Sequence, residues 1–249
     1  ADQTTMIRTN GINIYRDVNA NGIYDPGADI HIASGNRFGK AAVSFDGGDY
    51  ITGDGTASNV LAGKSAMTIE AWIYPNTAGM TGQRKIIGKE YMLFGLSGGV
   101  LQYAIPTSGT GGGYAYHTLG TTQVTANQWN HVALTYDGTN FKGYINGQYV
   151  GQYAQAGTIT GNTGQFLVGS RYGTGYFFNG SIDEIRISDV VRYTTNFDSP
   201  TADFQRDSNT LLLWHMDEGT GTTTSDASDN TITGTFASGG NQPTWTLGG

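Results

Sequence analysis

The 249-residue chain has no cysteine. That excludes a disulfide framework, thiolate chemistry and a cysteine-ligated zinc site. Charge is scarce too: Asp, Glu, Lys and Arg make up 13% of the residues, with no like-charge block and no heptad pattern. A formal net charge of −7 opposes a phosphate backbone, so no nucleic-acid partner is expected. No apolar run approaches the ~20 residues of a membrane-crossing helix, so no membrane insertion is expected either. Proline is limited to 5 residues, whereas glycine reaches 39. Abundant glycine beside many Thr, Asn and Tyr suits short strands joined by tight turns, and one all-β domain can fill this length. Few basic residues, no cysteine and a processed-looking start at Ala1, Asp2 and Gln3 favour an extracellular or cell-surface setting.

The most ordered pattern runs through residues 129–153. Trp129, His131 and Ala133 alternate with Val132, Leu134 and Tyr136, and both sets are largely apolar. A strand covered on both faces reads this way, which predicts a central position in a sheet. Asp137-Gly138 and Asn146-Gly147 supply two turns, so three antiparallel strands follow one another as a meander. Such a meander needs a second sheet over its apolar face.

Four segments carry a resemblance: Trp129-Asn-His131-Val-Ala-Leu-Thr-Tyr136 with its following Tyr144-Ile-Asn-Gly147, Met67 to Pro75, Gly180 to Ser188, and Ala42 to Gly47. In this order they resemble the LamG-like group of the concanavalin A-like lectin/glucanase superfamily. The resemblance spans residues 40–217 and implies two stacked, curved antiparallel sheets in a jelly roll. Residues 1–34 are then an N-terminal segment, and residues 35–249 the sandwich. Residues 209–230 resemble the opening strand and loop of such a domain yet stand late in the chain. We expect residues 210–217 to fill the slot of an N-terminal strand and close the sandwich, with residues 243–247 as a final edge strand.

The segment most explicit in its chemistry is residues 17–29. Asp17, Asn19 and Asn21 place side-chain oxygens at loop positions one, three and five; Gly22 stands at six, the Ile23 carbonyl at seven and Asp25 at nine. Short loops wrap hard oxygen ligands around Ca²⁺ in this way. Position twelve is Ala28, and the closing carboxylate, Asp29, comes one residue later. The loop therefore resembles those of dockerins and bacterial surface proteins more than an EF-hand; a metal-free turn rich in Asx residues is the bland alternative.

Further candidates are weaker. Alternation over residues 181–187 puts Asp183 on one face with Ile185 and Ile187, and Glu184 on the other with Ile182 and Arg186. An inward carboxylate needs a hydrogen bond, a partner or a metal. In the resembled family the matching Asp lies near a calcium region, which makes Asp183 a candidate second-site ligand. Asp46 flanks a turn with Asp49 and is another, although turn chemistry explains it as well. Residues 171–179 hold Tyr172, Tyr176, Phe177 and Phe178 among glycines; Tyr114 and Tyr116 follow a Gly-rich run. Tyr114, Tyr116, Tyr172, Tyr176 and Phe177 are candidates for stacking on a sugar face, against the commoner role of core filling.

Catalysis has little support. Asp183 and Glu184, as strand neighbours on opposite faces, cannot flank one scissile bond, and the four histidines are scattered. The reading is a non-catalytic, calcium-stabilised carbohydrate-binding or adhesion module, its partner a glycan or cell-surface ligand. A purely structural segment of a surface protein, or a glycan-active enzyme, is the alternative.

Overall fold

Strands with one apolar face bury it best against another sheet, and the computed structural model of the chain has that arrangement. It describes residues 36–54, 59–90, 92–111, 113, 115–161 and 164–247, together with the backbone of three earlier strands. Those are β1 (Met6–Thr9), β2 (Ile14–Asp17) and β3 (Ile30–His31), antiparallel in the order β1-β2-β3. The sandwich follows with β4 (Ala41–Asp46), β5 (Ile51–Gly53), β6 (Met67–Pro75), β7 (Gln83–Lys89), β8 (Met92–Ser97) and β9 (Val100–Ala104). Next come β10 (His117–Gln123), β11 (Asn130–Tyr136), β12 (Asn140–Ile145), β13 (Gln148–Ala154), β14 (Leu167–Val168) and β15 (Asn179–Ser188). The last are β16 (Thr210–Trp214), β17 (Thr223–Thr224), β18 (Gly234–Phe236) and β19 (Thr244–Leu247).

The first large sheet runs β10-β9-β8-β7-β14-β5-β18-β17. The second runs β13-β12-β11-β6-β15-β4-β19, with β16 also paired to β15. All pairings are antiparallel, and helix is confined to short 3-10 turns among the described residues. Between the sheets lies one core that includes Phe45, Ile69, Phe94, Tyr103, Leu134, Phe166, Ile187 and Trp214. The fold is thus an all-β, two-sheet jelly-roll sandwich, as the sequence predicts.

The meander forms where expected. β11 pairs with β6 on one side and β12 on the other, and all seven of its residues are buried. Asp137 Oδ1 accepts the N–H groups of Thr139 and Asn140 at 3.0 and 2.7 Å, which shapes the first turn. In the second, Asn146 and Gly147 have φ of 49° and 75°, the two positive values a two-residue hairpin turn requires. Gly147 has a further reason to be glycine: a Cβ there would lie 1.9 Å from the Phe197 carbonyl.

Strand β15 departs from the sequence reading. Simple alternation would send Asp183 inward with Ile185 and Ile187. Instead the register between β15 and β6 slips between Asp183 and Arg186, and Glu184 sits at φ 52°. This is a β-bulge, one extra residue that re-aims its neighbours. Ile182, Ile185 and Ile187 all reach the core, whereas Asp183, Glu184 and Arg186 contact the layer outside the second sheet. The argument that Asp183 and Glu184 occupy opposite faces is therefore wrong.

β16 carries Leu212 and Trp214 into the core, where the Trp214 Nε1 donates to the Ile232 carbonyl at 2.8 Å. The strand ends at Trp214, short of residue 217, because Met216 turns the backbone to φ 58°. β19 pairs with β4 at the end of its sheet.

The outer face of the second sheet is closed by residues 189–206, which have no strand pairing but are riveted to it. Thr68 Oγ1 donates to the Val190 carbonyl and accepts the Arg192 N–H. Tyr193 and Phe197 stack at 3.6 Å, Phe204 packs with Trp72 and Leu213, and Asn196 bridges to β13. Beneath them lies Glu70, fully buried. Its Oε1 accepts from Arg186 at 2.7 and 2.9 Å; its Oε2 takes the Tyr193 hydroxyl at 2.8 Å and lies 3.0 Å from His131 Nε2. Burial works to raise the Glu70 pKa, but the His131 hydrogen bond, the Arg186 charge and the Tyr193 hydroxyl outweigh it, so the group stays below the ordinary value.

Removing one partner of a buried ion pair strands the others, at about 3–5 kcal/mol. Glu70→Ala should thus lower the melting temperature by roughly 10 °C and open residues 189–206 to protease. A variant melting within ~3 °C of the parent, by the same scale, would show that Glu70 does not seat this strap.

Candidate functional site

The first sheet presents a different outer face. Lys85 on β7, Gly95 on β8, Gln102 on β9 and Thr118 on β10 lie in one cross-strand row. Gly95 lets the strands close up at the β7 bulge, since a Cβ there would meet the Arg84 carbonyl at 2.1 Å. Across it the Lys85 Nζ donates to Gln102 Oε1 at 3.0 Å. The same ammonium lies 4.6 Å from the centre of the Tyr116 ring and 5.7 Å from that of Tyr176.

The aromatic loop after β14 supplies the rest. Arg171 and Gly175 bridge its neck, Ser170 Oγ donates to the Gly175 carbonyl, and the Lys85 N–H donates to the Tyr176 carbonyl at 2.9 Å, tying the loop to β7. The Arg171 guanidinium donates to the hydroxyls of Tyr116 and Tyr172 and lies 4.5 Å from the centre of the Tyr172 ring. Tyr116 and Tyr176 also border it, at 5.7 and 5.9 Å. Tyr172 and Tyr176 stand at φ 64° and 56°, yet both remain about half exposed, at 52% and 43%. Non-glycine residues held there cost of order 1 kcal/mol or more and cluster at functional sites.

Electrostatics mark the same place. Lys85 is fully buried, and burial, aided by the nearby Arg171 charge, pushes its amine down to about 7 from 10.5. No carboxylate contributes to its environment among the described residues. A desolvated cation beside another cation costs stability, a pattern found where function demands the charge.

Of the sequence candidates, the structure brings together Tyr116, Tyr172 and Tyr176. Phe177 is half-buried, its carbonyl accepting from Arg84, and makes no ring contact with Lys85 or Arg171 among the described residues. Tyr114 lies outside the described residues. Lys85, Gln102 and Arg171 were missed. Arg171 opens the aromatic loop and could have been read with it; Lys85 stands in a short apolar strand whose bulge no local pattern announces.

Asp17 ends β2, and Asn19, Asn21, Ile23, Asp25 and Asp29 lie outside the described residues. Asp46 is a turn residue: its Oδ1 accepts the Gly48 N–H, and its N–H donates to Asp49. It pairs with Asn179 across β4 and β15, four residues from Asp183, so the two aspartates do not share a site. Asp183 accepts the N–H groups of Arg37 and Phe38 at 2.8 and 3.1 Å on Oδ2, while its buried Oδ1 has no hydrogen-bond partner among the described residues. Burial, helped by the charges of Glu184 and Asp217, raises this carboxyl to about 8. Glu184 accepts the Phe204 N–H and pairs with His215 Nδ1 at 2.7 Å. Both carboxylates are thus engaged in pinning chain segments and are buried away from solvent. Among the described residues no three His, Asp or Glu side chains converge as metal ligands would.

Comparison with known proteins agrees with the fold. The family model described as the concanavalin A-like lectin/glucanases superfamily matches residues 45–196. A candidate carbohydrate-binding protein from Bacteroides ovatus superposes with a TM-score of 0.61 at 19% identity, over 94% of this chain and 67% of that one. The heptameric SAP-like pentraxin of Limulus polyphemus does so with a TM-score of 0.51 at 14% identity, over 80% of this chain and 95% of that one. No curated protein matches the chain in sequence.

Because the folded state favours neutral Lys85, the penalty is complete below pH 7 and fades as pH rises towards 10.5. Lys85→Met should therefore stabilise the protein at pH 6 by at least ~1 kcal/mol, or about 2–4 °C, and the gain should shrink by pH 10. A variant that melts lower than the parent at pH 6 would show that the charge is not held at a cost.

Proposed function

The chain belongs to the concanavalin A-like lectin/glucanases superfamily, and from that premise we propose a non-catalytic carbohydrate-binding module of an extracellular or cell-surface protein, acting in adhesion or glycan capture. One observation carries this reading: Tyr116, Tyr172 and Tyr176 gather around Lys85 and Arg171 on a sheet face that no strap closes among the described residues. Rigid aromatic rings offer a sugar's apolar face a large contact at little entropic cost, and buried polar groups beside them orient its hydroxyls. The Bacteroides ovatus neighbour, which shares the fold, is described as a candidate carbohydrate-binding protein.

A glycan-active enzyme is the second reading, and Lys85 is the observation in its favour, since an amine near 7 has the basicity of a general base. Against it, the Asp183 and Glu184 carboxylates are committed to the backbone N–H groups of Arg37, Phe38 and Phe204. Incubated with glycans, the protein should release no new reducing or unsaturated ends. Binding should weaken about 3- to 10-fold for each of Tyr172→Ala and Tyr176→Ala. Glycan binding unaffected by both substitutions would remove the platform from this role.

Calcium is the second part of the proposal. At the Asp183 corner the unpartnered Oδ1 would suit a cation, but the described side chains do not supply a set of ligands for one. The proposed ion site is residues 17–29, on the spacing of their oxygen ligands: side-chain oxygens from Asp17, Asn19, Asn21 and Asp25, the Ile23 carbonyl and Asp29. Three aspartates within about a dozen residues repel one another unless a cation intervenes. Binding confined to the folded state adds roughly 2.7 kcal/mol when free calcium is ~100 times Kd. EDTA should lower the melting temperature, and Asp17→Ala should remove most of that difference while Asp183→Asn leaves it intact. Superimposable melting curves in calcium and in EDTA would reduce the loop to a turn.

A further inference from the structure

We propose that the tyrosine platform takes an acidic sugar, a carboxylate-bearing residue of the hexuronate kind, with its carboxylate at Arg171 above the buried Lys85 charge and its ring face against Tyr172 and Tyr176. The inference rests on the carbohydrate-binding reading and narrows its ligand class. Lys85 and Arg171 border the same two rings, Tyr116 and Tyr176, with Lys85 fully buried beneath them, so a ligand on the platform would meet Arg171 directly and feel the Lys85 charge from below. The described groups around the Lys85 ammonium are an amide oxygen, two aromatic faces and a second cation. None is an anion, and an anion is what would relieve the repulsion.

This local charge runs against the rest of the molecule, whose net charge is −7. The cations are therefore not part of a generally basic surface. An ammonium gives a point charge and a guanidinium a planar fork, a pairing suited to a carboxylate held in one orientation. Neutral sugars could use the tyrosines and Gln102, but they would leave the buried Lys85 charge uncompensated. The loop that presents Tyr172 and Tyr176 has Gly173, Thr174 and Gly175 between them, and a Cβ on Gly175 would meet nothing within 4 Å. The space beside Gly175 is thus open, whereas Gly173 faces the Tyr50 ring, which a Cβ there would meet at 3.0 Å.

The test is calorimetric titration of the whole chain with four probes: hexuronate oligomers, the same oligomers methyl-esterified at the carboxyl, neutral oligosaccharides of equal length, and polyglutamate. The free-acid oligomers should bind about 10- to 100-fold more tightly than their esters, and the difference should shrink with added salt. Lys85→Met and Arg171→Met should each collapse that gap, with Arg171→Lys restoring part of it, whereas Tyr172→Ala should weaken acid and ester alike. Acid and ester binding equally would overturn the inference and leave the carbohydrate reading standing. Polyglutamate binding as tightly as the uronate would overturn it as well, by reducing the site to charge alone. Failure of every sugar to bind would overturn both readings together.

Discussion

Glu70 holds the second sheet and its cover in one arrangement. It is a carboxylate with no exposed surface, on β6 between β11 and β15, and it is met by Arg186 from β15, His131 from β11 and Tyr193 from the strap. An ionised carboxylate only accepts hydrogen bonds, so the neighbouring His131 Nε2 must carry a hydrogen. Four groups from four chain segments thereby have one relative position in which Glu70 meets all three partners. Any slip of register would bury at least one of them unpaired, an error of several kcal/mol. Apolar residues in these places could stabilise as well, but would leave the strap freer to shift.

From this follows the difference between the two faces of the sandwich. Over the second sheet, Phe197 and Phe204 pack on the ring of His131, and the strap is bonded along β6 and the β12–β13 turn. Along β6 and β11 that face is covered by the strap. The first sheet has no such strap among the described residues; its outer row of Lys85, Gly95 and Gln102 is roofed by Tyr116 and by the loop carrying Tyr172 and Tyr176. Rigidity on one side leaves recognition to the other.

Residues that obey a single period were legible in the sequence. β11 shows its burial on both faces, Asn146-Gly147 shows its turn, and the core positions of β6 and β11 follow directly. Legibility fails where the period breaks. The bulge at Glu184 depends on an αL residue that is not a glycine, so nothing local signals it, and it moves Asp183 from the core face to the outer face. β7 has the same difficulty: its bulge lets both Ile86 and Ile87 enter the core while Lys85 turns outward. In the platform, Tyr172 and Tyr176 were visible as aromatics among glycines. Their association with Lys85 was not, because the contact between Lys85 and Tyr176 joins distant parts of the chain through tertiary structure alone.

The two regions handle buried charge in opposite ways, and the contrast separates structure from function. Glu70 is paired so completely that its carboxyl stays below the ordinary pKa in spite of burial. Lys85 is equally buried but is left with an amide, aromatic faces and a like charge, and its amine falls to about 7. A sandwich able to assemble the first arrangement has the means to neutralise the second: a carboxylate at position 95 or 118 would face the ammonium across the same row, were Gly95 not required by the backbone. Added to this are two tyrosines in left-handed backbone conformations, with their rings still half in solvent. Each feature costs stability, offset only in part by the Gln102 hydrogen bond and the cation–ring contacts. Their coincidence on one platform is most simply explained by a ligand that supplies the missing anion and covers the exposed rings.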